Sequence, residues 1–186
     1  GGLRAGDVPL EMRDCEFIDN EAHAGGAVQA DGGSGSVAIV GSTFTRNRAV
    51  YGVGGALNLA RGPVDVVNCG FFMNETVDVG GGIRSNQEDT VIANCVFSGN
   101  RAYWHGGAMD VHQSLHRVVN CTMVDNEAYL SGGGIRGNAA GLVANCIVRD
   151  NHAARWPDVA NRDDTWVMDL RWSNLSVWLG EQGGVF

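Results

Sequence analysis

An asparagine that returns about every 26 residues restricts the fold of this 186-residue chain more than any other feature. Successive asparagines lie 27, 27, 26, 26 and 25 residues apart, and each ends a tetrapeptide that begins with Phe, Met or Val. A fixed period of about 20–50 residues is typical of a solenoid, propeller or array, in which each unit buries its apolar face against its neighbours. The six residues are Asn20, Asn47, Asn74, Asn100, Asn126 and Asn151.

Paired glycines follow the first five asparagines and argue against a helical repeat, because glycine is a poor helix former. Short, partly alternating apolar stretches, such as residues 142–148, favour strands of about three to six residues. The sequence therefore predicts an all-β, parallel β-helix solenoid of about six coils with 25–27 residues per coil. The glycines are expected to mark bends that need positive φ or close backbone approach. The pairs are Gly25-Gly26, Gly54-Gly55, Gly80-Gly81, Gly106-Gly107 and Gly132-Gly133.

Stacking the repeats in register gives columns of compatible residues, which supports this fold. One column consists of apolar residues that face inward, a second consists of small residues that also face inward, and a third consists of residues whose charge alternates in sign. Opposite charges on neighbouring strands contribute about 0.2–1 kcal/mol each, whereas like charges oppose pairing. The apolar column is Phe17, Phe44, Phe71, Phe97, Met123 and Val148. The small column is Cys15, Ser42, Cys69, Cys95, Cys121 and Cys146. The charged column is Glu21, Arg48, Glu75, Arg101, Glu127 and His152.

The asparagine column itself predicts a buried structural ladder. A carboxamide has two N–H donors and an acceptor oxygen, so stacked asparagines bond to one another and to the bend backbone. We interpret the column as part of the scaffold and not as a row of ligands.

The amino-acid composition excludes several classes of binding partner. The net charge is −8 and the chain has no lysine, so we expect no nucleic acid to bind. Four of the five cysteines share one uninterrupted column, and they are interpreted as buried free thiols, or as disulfides between stacked neighbours such as Cys69 and Cys95. We expect no metal and no cofactor, because no CxxC spacing or Cys/His cluster occurs. No apolar run is long enough for membrane insertion by this segment.

The two ends depart from the repeat. Residues 1–4 align with residues 81–84, so the chain is expected to start inside a coil, with repeats over residues 1–155. The glycine pair is missing after Asn151, and residues 156–186 are predicted to form an atypical Trp-rich C-terminal cap or docking segment. Its tryptophans are Trp156, Trp166, Trp172 and Trp178.

The pairing of FxxN with GGA and a following Ile, Leu, Val or Met resembles the repeat of the polymorphic outer membrane proteins. It is also similar to the right-handed β-helix repeats of large bacterial surface proteins in the pectin-lyase-like superfamily. The likeness covers residues 1–153. It implies a right-handed parallel β-helix and a secreted or surface-exposed passenger, often linked to adhesion. No catalytic residue is implied, because FxxN and GGA are scaffold elements.

One outward row of side chains is a candidate binding or catalytic site. Stacking places Asp110 between Arg84 and Arg136, with His112 beside it. A polysaccharide hydrolase needs two or three carboxylates and a lyase needs an Asp-rich calcium site, and the row offers one carboxylate. We therefore expect a salt-bridged ladder on a solvated face, with a sugar-binding or catalytic site as the alternative.

Aromatic residues in one bend are the second candidate. Tyr103, Trp104 and Tyr129 fall between the asparagine and the glycine pair of neighbouring coils. They are expected to stack on sugars, to contact another protein, or to be partly buried in the bend.

The favoured function is a non-enzymatic structural or adhesive module, extracellular or at the cell surface of a bacterium. A subunit of an extracellular filament, assembled through its ends, is one version of this hypothesis. Its partners would be other protein chains, upstream coils of the same protein, or surface glycans. The alternative is a polysaccharide-active lyase or hydrolase, or a carbohydrate-binding β-helix protein.

Overall fold

A computed structural model defines residues 2–6, 9–31, 33, 35–60, 62–86, 89–112, 116–137, 141–161 and 169–175. These residues form a parallel β-solenoid of about six turns, and none of them is helical. Every strand pairs in parallel with the equivalent strand one coil away. The fold class expected from the asparagine period is confirmed.

The first three coils each contribute four short strands. Coil 1 contains β1 (Leu3–Gly6), β2 (Leu10–Arg13), β3 (Glu16–Ile18) and β4 (Glu21–Ala22). Coil 2 contains β5 (Val28–Asp31), β6 (Val37–Val40), β7 (Thr43–Thr45) and β8 (Arg48–Ala49). Coil 3 contains β9 (Leu57–Ala60), β10 (Val64–Val67), β11 (Gly70–Phe72) and β12 (Glu75–Thr76).

The remaining coils repeat this order as far as the structure describes them. Coil 4 contains β13 (Ile83–Asn86), β14 (Thr90–Ala93), β15 (Val96–Ser98) and β16 (Arg101–Ala102). Coil 5 contains β17 (Met109–His112), β18 (Arg117–Val119), β19 (Thr122–Val124) and β20 (Glu127–Ala128). Coil 6 contains β21 (Ile135–Gly137), β22 (Leu142–Ala144) and β23 (Ile147–Arg149). The segment predicted as a cap contributes β24 (Val159–Asn161), β25 (Asp169–Arg171) and β26 (Asn174–Leu175).

Equivalent strands stack into four sheets that run the length of the solenoid. Sheets A, B and C have seven strands each, and the narrow sheet D has five. Sheet A begins with β1, sheet B with β2, sheet C with β3 and sheet D with β4. The strands β24, β25 and β26 extend sheets A, B and C by one further strand.

The core consists of the inward residues of all coils, with the phenylalanine column at its centre. Phe44, Phe71 and Phe97 are fully buried. Neighbouring rings from Phe17 to Phe97 stack with centroids 4.6–5.3 Å apart and planes within 8° of parallel. The predicted apolar column is therefore confirmed, and its aromatic part is a continuous stack that continues as Met123 and Val148.

Two corners of each coil use the left-handed backbone region. The first precedes the small-residue column, where φ is 48–62° and the residue is usually Asn. The second precedes the asparagine column, where φ is 52–67°. Asn, Asp and Gly tolerate this conformation best, and they occupy most of these corners. The first set is Asp14, Gly41, Asn68, Asn94, Asn120, Asn145 and Trp172. The second set is Asp19, Arg46, Met73, Gly99, Asp125 and Asp150.

The glycine pair forms a third corner of the coil, and glycine is required at its two positions for different physical reasons. The first glycine of each pair has a φ of 57–74°, as at Gly80. The second glycine touches the next coil: a Cβ on Gly81 would overlap the Gly107 carbonyl oxygen and lie 2.7 Å from backbone atoms of Arg101. Both expected reasons, positive φ and close approach, are therefore confirmed. In the last coil, Trp156 takes the first position with a φ of 46°.

The asparagine ladder has a fixed direction. Each asparagine from Asn20 to Asn126 donates its backbone N–H and its side-chain NH₂ to the carboxamide oxygen of the asparagine one coil later. The donor–acceptor distances are 2.9–3.1 Å. From Asn47 onward, each NH₂ also donates to a carbonyl of the preceding coil's apolar column, as Asn100 does to Phe71 at 2.9 Å. The members from Asn47 to Asn151 are buried, which confirms the predicted scaffold role.

Candidate functional site

The outward row of sheet A has the register predicted from the repeat. Arg84 pairs with Asp110 across β13 and β17, and Asp110 pairs with Arg136 across β17 and β21. The Asp110 carboxylate holds two partners: Arg136 Nε lies 2.5 Å from Oδ2, and His112 Nε2 lies 2.6 Å from Oδ1. Arg136 Nη2 also lies 3.0 Å from His112 Nε2. These three side chains form one cluster, which we call the Asp110 cluster.

The expectation that this row is solvated is wrong at the Asp110 cluster. Asp110 is fully buried, and the side chains of His112 and Arg136 are only 12% and 11% exposed. A buried carboxylate needs a charged or hydrogen-bonding partner, and Arg136 supplies one at Oδ2, while His112 Nε2 lies against Oδ1. Asp110 is therefore committed to internal contacts, and its oxygens do not face the surface.

Exposed aromatic side chains line the bend between sheet D and the glycine pair. Tyr51, Tyr103, Trp104 and Tyr129 are 76%, 53%, 42% and 61% exposed, and we call them the aromatic strip. The rings of Tyr103 and Tyr129 stack with centroids 5.5 Å apart and planes 8° from parallel. Trp104 meets the Tyr103 ring edge-on, at 4.7 Å and 87°. Three of these residues were predicted to share the bend, and Tyr51 was missed although it occupies the same bend of coil 2.

The charged column runs beside the aromatic strip in sheet D. Its predicted alternation is confirmed by the registers of Glu21 with Arg48, Arg48 with Glu75, Glu75 with Arg101, and Arg101 with Glu127. Arg101 Nη2 lies 3.4 Å from Glu127 Oε1, with both side chains at least half exposed. Exposed pairs of this kind stabilise a fold by about 0–1 kcal/mol, and their charged groups remain in contact with solvent.

The cysteine column is buried and its thiols are free. Cys69, Cys95, Cys121 and Cys146 are at most 3% exposed, whereas Cys15 is half-buried. Backbone N–H groups donate to sulfur one coil away, from Cys69 to Cys95 and from Cys121 to Cys146, each at 3.4 Å. Hydrogen bonding with Cys121 and Cys69, together with burial, raises the pKa of the Cys95 thiol. Hydrogen bonding with Cys121 and burial likewise raise the pKa of Cys146.

The rate of thiol labelling is expected to distinguish the half-buried Cys15 from the four buried cysteines of the column. Burial blocks access of the reagent to Cys69, Cys95, Cys121 and Cys146, so their thiols react slowly. The raised pKa values of Cys95 and Cys146 lower the thiolate fraction and slow those two further. We expect one thiol per chain to react quickly with a chromogenic disulfide reagent under native conditions, and the other four at least about a hundredfold more slowly until denaturant is added. The Cys15→Ser variant should lose the fast phase and keep the slow one. Fast reaction of more than one thiol in the wild type would contradict this assignment.

Two further polar features were not predicted. Outside the core, Asn94 accepts from Asn120 and donates to Asn68, both at 3.1 Å, which makes a second, exposed asparagine ladder. The sequence does contain a pattern for this exposed ladder, since an Asn directly precedes four of the cysteines. The buried Asp158 accepts from Asn151 Nδ2 at 3.0 Å and so ends the inner ladder. Asp158 stands where earlier coils have Ala or Gly, a change that occurs once and has no period.

The tryptophans of the predicted cap lie in different environments. Trp172 is 82% exposed and has a φ of 48°, so it does not close the last coil. Trp156 is half-buried. The other two, Trp166 and Trp178, lie outside the described residues.

Within the defined part of the chain, no helix is long and apolar enough to cross a membrane. Nor do three or more His, Cys, Asp or Glu side chains of those same residues converge as metal ligands would.

No family model matches the chain, and no curated protein or solved structure matches it either. The geometry of the solenoid is therefore the basis for assigning a function.

Proposed function

We propose that this chain is a non-enzymatic structural and adhesive β-solenoid module of an extracellular or cell-surface protein. The observation that carries the proposal is the state of Asp110, the carboxylate at the centre of the best candidate site. It is fully buried and paired with Arg136 and His112, so its charge is used to hold two coils together. A general acid or base must instead reach the substrate at hydrogen-bond distance.

The regularity of the outer surface supports the same proposal. Side chains in sheet D alternate in sign along the stack, and the aromatic strip offers exposed rings along one edge of the solenoid. Repeat proteins use such extended surfaces to bind partners. The sequence resemblance to bacterial surface repeats points to the same location, and the burial of four thiols protects them where the surroundings are oxidising.

Partners of the proposed module are other chains, further coils of the same protein, or surface glycans. A polysaccharide-active enzyme is the second candidate, and the cluster of Asp110, His112 and Arg136 is the feature in its favour.

The Asp110→Asn variant separates these two candidates. We expect the wild type to release no unsaturated or reducing sugar from acidic and neutral polysaccharides above a buffer control. The substitution should instead lower the free energy of unfolding by about 3 kcal/mol, because it leaves the buried Arg136 without its counter-ion. In contrast, Glu127→Gln removes an exposed ion pair and should cost less than about 1 kcal/mol. Sugar release that disappears in a folded Asp110→Asn variant would show that the protein is an enzyme.

A further inference from the structure

The aromatic strip is linear and follows the solenoid axis. Backbone hydrogen bonds stack the bends of coils 2 to 5 on one another: Tyr129 donates to Ala102 at 3.3 Å, Tyr103 to Thr76 at 3.1 Å, and Val77 to Ala49 at 3.4 Å. Coil 3 has Val77 and Asp78 in this bend and contributes no ring. Coils in a parallel stack are about 4.8 Å apart, so the three steps from Tyr51 to Tyr129 span about 14 Å. The surface is therefore long and only one or two residues wide, which suits an extended chain.

The exposed area of the strip is small for a protein interface. An aromatic side chain has about 200 Å² of surface, and about half of each ring is exposed, so the four residues offer on the order of 400 Å². A stable protein–protein interface takes about 800 Å² from each partner. Tyr and Trp are costly to leave in water, and an exposed aromatic group of this kind marks a binding surface. The area fits a few units of a narrow polymer better than a folded partner.

The charges around the strip favour an uncharged ligand. Beside the rings, Arg48 and Arg101 alternate with Glu75 and Glu127, and Asp78 adds one negative charge in the bend of coil 3, so this surface has no positive excess. The chain as a whole carries a net charge of −8, which repels polyanions such as nucleic acid or acidic polysaccharide.

The chemistry of a sugar ring matches both parts of this surface. One face of a pyranose carries C–H groups, which are attracted to the negative face of an aromatic ring. Its rim carries hydroxyl groups, which donate to carboxylates and accept from guanidinium groups. Trp104 and Tyr103 provide two ring planes at right angles, and Arg101 and Glu127 lie one short strand away in sheet D.

We propose that the aromatic strip binds a neutral polysaccharide chain laid along the solenoid axis. This inference rests on the proposed function, since it names the class of partner to which the adhesive module attaches. Stacking on Trp104 and on the Tyr103–Tyr129 pair supplies most of the binding, and Tyr51 extends the site by two coils. The neighbouring Arg and Glu side chains orient the chain through its hydroxyl groups.

Co-sedimentation of the purified chain with insoluble polysaccharides tests the proposal. The neutral probes are cellulose, chitin and a β-1,3-glucan, and the acidic probe is cross-linked polygalacturonate. We expect at least one neutral probe to retain the protein and the acidic probe to retain at least about tenfold less. Trp104→Ala and Tyr103→Ala should each weaken retention about tenfold or more, as expected for the loss of one stacked ring.

The control variant is Trp172→Ala, because Trp172 is an exposed tryptophan on a different corner of the solenoid. It should bind like the wild type, and all variants should keep the wild-type circular dichroism spectrum and melting temperature. Failure of every neutral probe, equal binding to the acidic probe, or equal loss in Trp172→Ala would overturn the proposal. A dimer in analytical ultracentrifugation that Tyr103→Ala dissociates would also overturn it, in favour of a protein contact. Sugar release that depends on Asp110 would contradict only the non-enzymatic role and would leave the binding result standing.

Discussion

Replacing Gly81 with alanine is expected to prevent the solenoid from folding correctly, and this is the largest single effect that the structure predicts. The added Cβ would overlap the Gly107 carbonyl oxygen and lie 2.7 Å from the backbone N and C atoms of Arg101. Backbone atoms cannot turn aside as a flexible side chain can, and Gly81 N is held by a 3.0 Å hydrogen bond to Gly106 O. The coils would have to separate at this corner, which breaks pairing on both sides.

We expect Gly81→Ala to lower the free energy of unfolding by about 4 kcal/mol or more, or to yield insoluble protein. The measurement is urea denaturation followed by circular dichroism. Gly6→Ala is the matched control, because a Cβ on Gly6 would meet nothing within 4 Å. That variant should stay within about 0.5 kcal/mol of the wild type. Two variants of equal stability would show that the coils do not approach each other closely at Gly81.

The second large effect is expected for Asn100→Ala in the inner ladder. Asn100 is fully buried, and its side chain makes four hydrogen bonds. Nδ2 donates to Phe71 O and Asn126 Oδ1, and Oδ1 accepts from the backbone and side-chain nitrogens of Asn74. Alanine removes all four and takes away the acceptor of a buried Asn74 backbone N–H. At about 1 kcal/mol for each lost bond, the expected loss of stability is about 3–5 kcal/mol.

The exposed ladder supplies the control for Asn100→Ala. Asn94 has a φ of 55°, so Asn94→Gly removes its two side-chain bonds without straining the backbone. Because water replaces those bonds, we expect a loss of about 1 kcal/mol or less. Equilibrium unfolding of both variants gives the comparison. If Asn94→Gly destabilised the protein as much as Asn100→Ala, burial of the inner ladder would not be the source of its contribution.

Most of the fold could be predicted from the sequence because one coil defines the next. Once the asparagines set the register, the stacking of Phe71 on Phe97 and of Glu75 beside Arg101 follows from counting residues. The glycine pairs were also informative, since both of their physical reasons act at every coil.

The candidate site was less predictable because burial depends on more than register. Sequence places Asp110 between two arginines, but whether water reaches its carboxylate depends on how the Arg136 and His112 side chains pack against it, which no period encodes. Asp158 escaped prediction for a related reason: it occurs in a single coil, and one polar residue in an apolar position looks like a surface residue. Tyr51 was missed because the coil between it and Trp104 has Asp78 at the same position, so no continuous aromatic column connects the two.

The direction of the inner ladder sets a rule for how such a chain can change length. Each asparagine from Asn20 to Asn126 donates to the carboxamide oxygen of the asparagine in the next coil. An extra coil produced by gene duplication would therefore find matching donors and acceptors on both sides. Asp158 is different, because its carboxylate accepts from Asn151 and has no N–H to pass the ladder on. Duplication of a whole coil before Asp158 would therefore preserve the ladder's hydrogen bonds. Asp158 ends that ladder, although sheets A, B and C continue for one more strand.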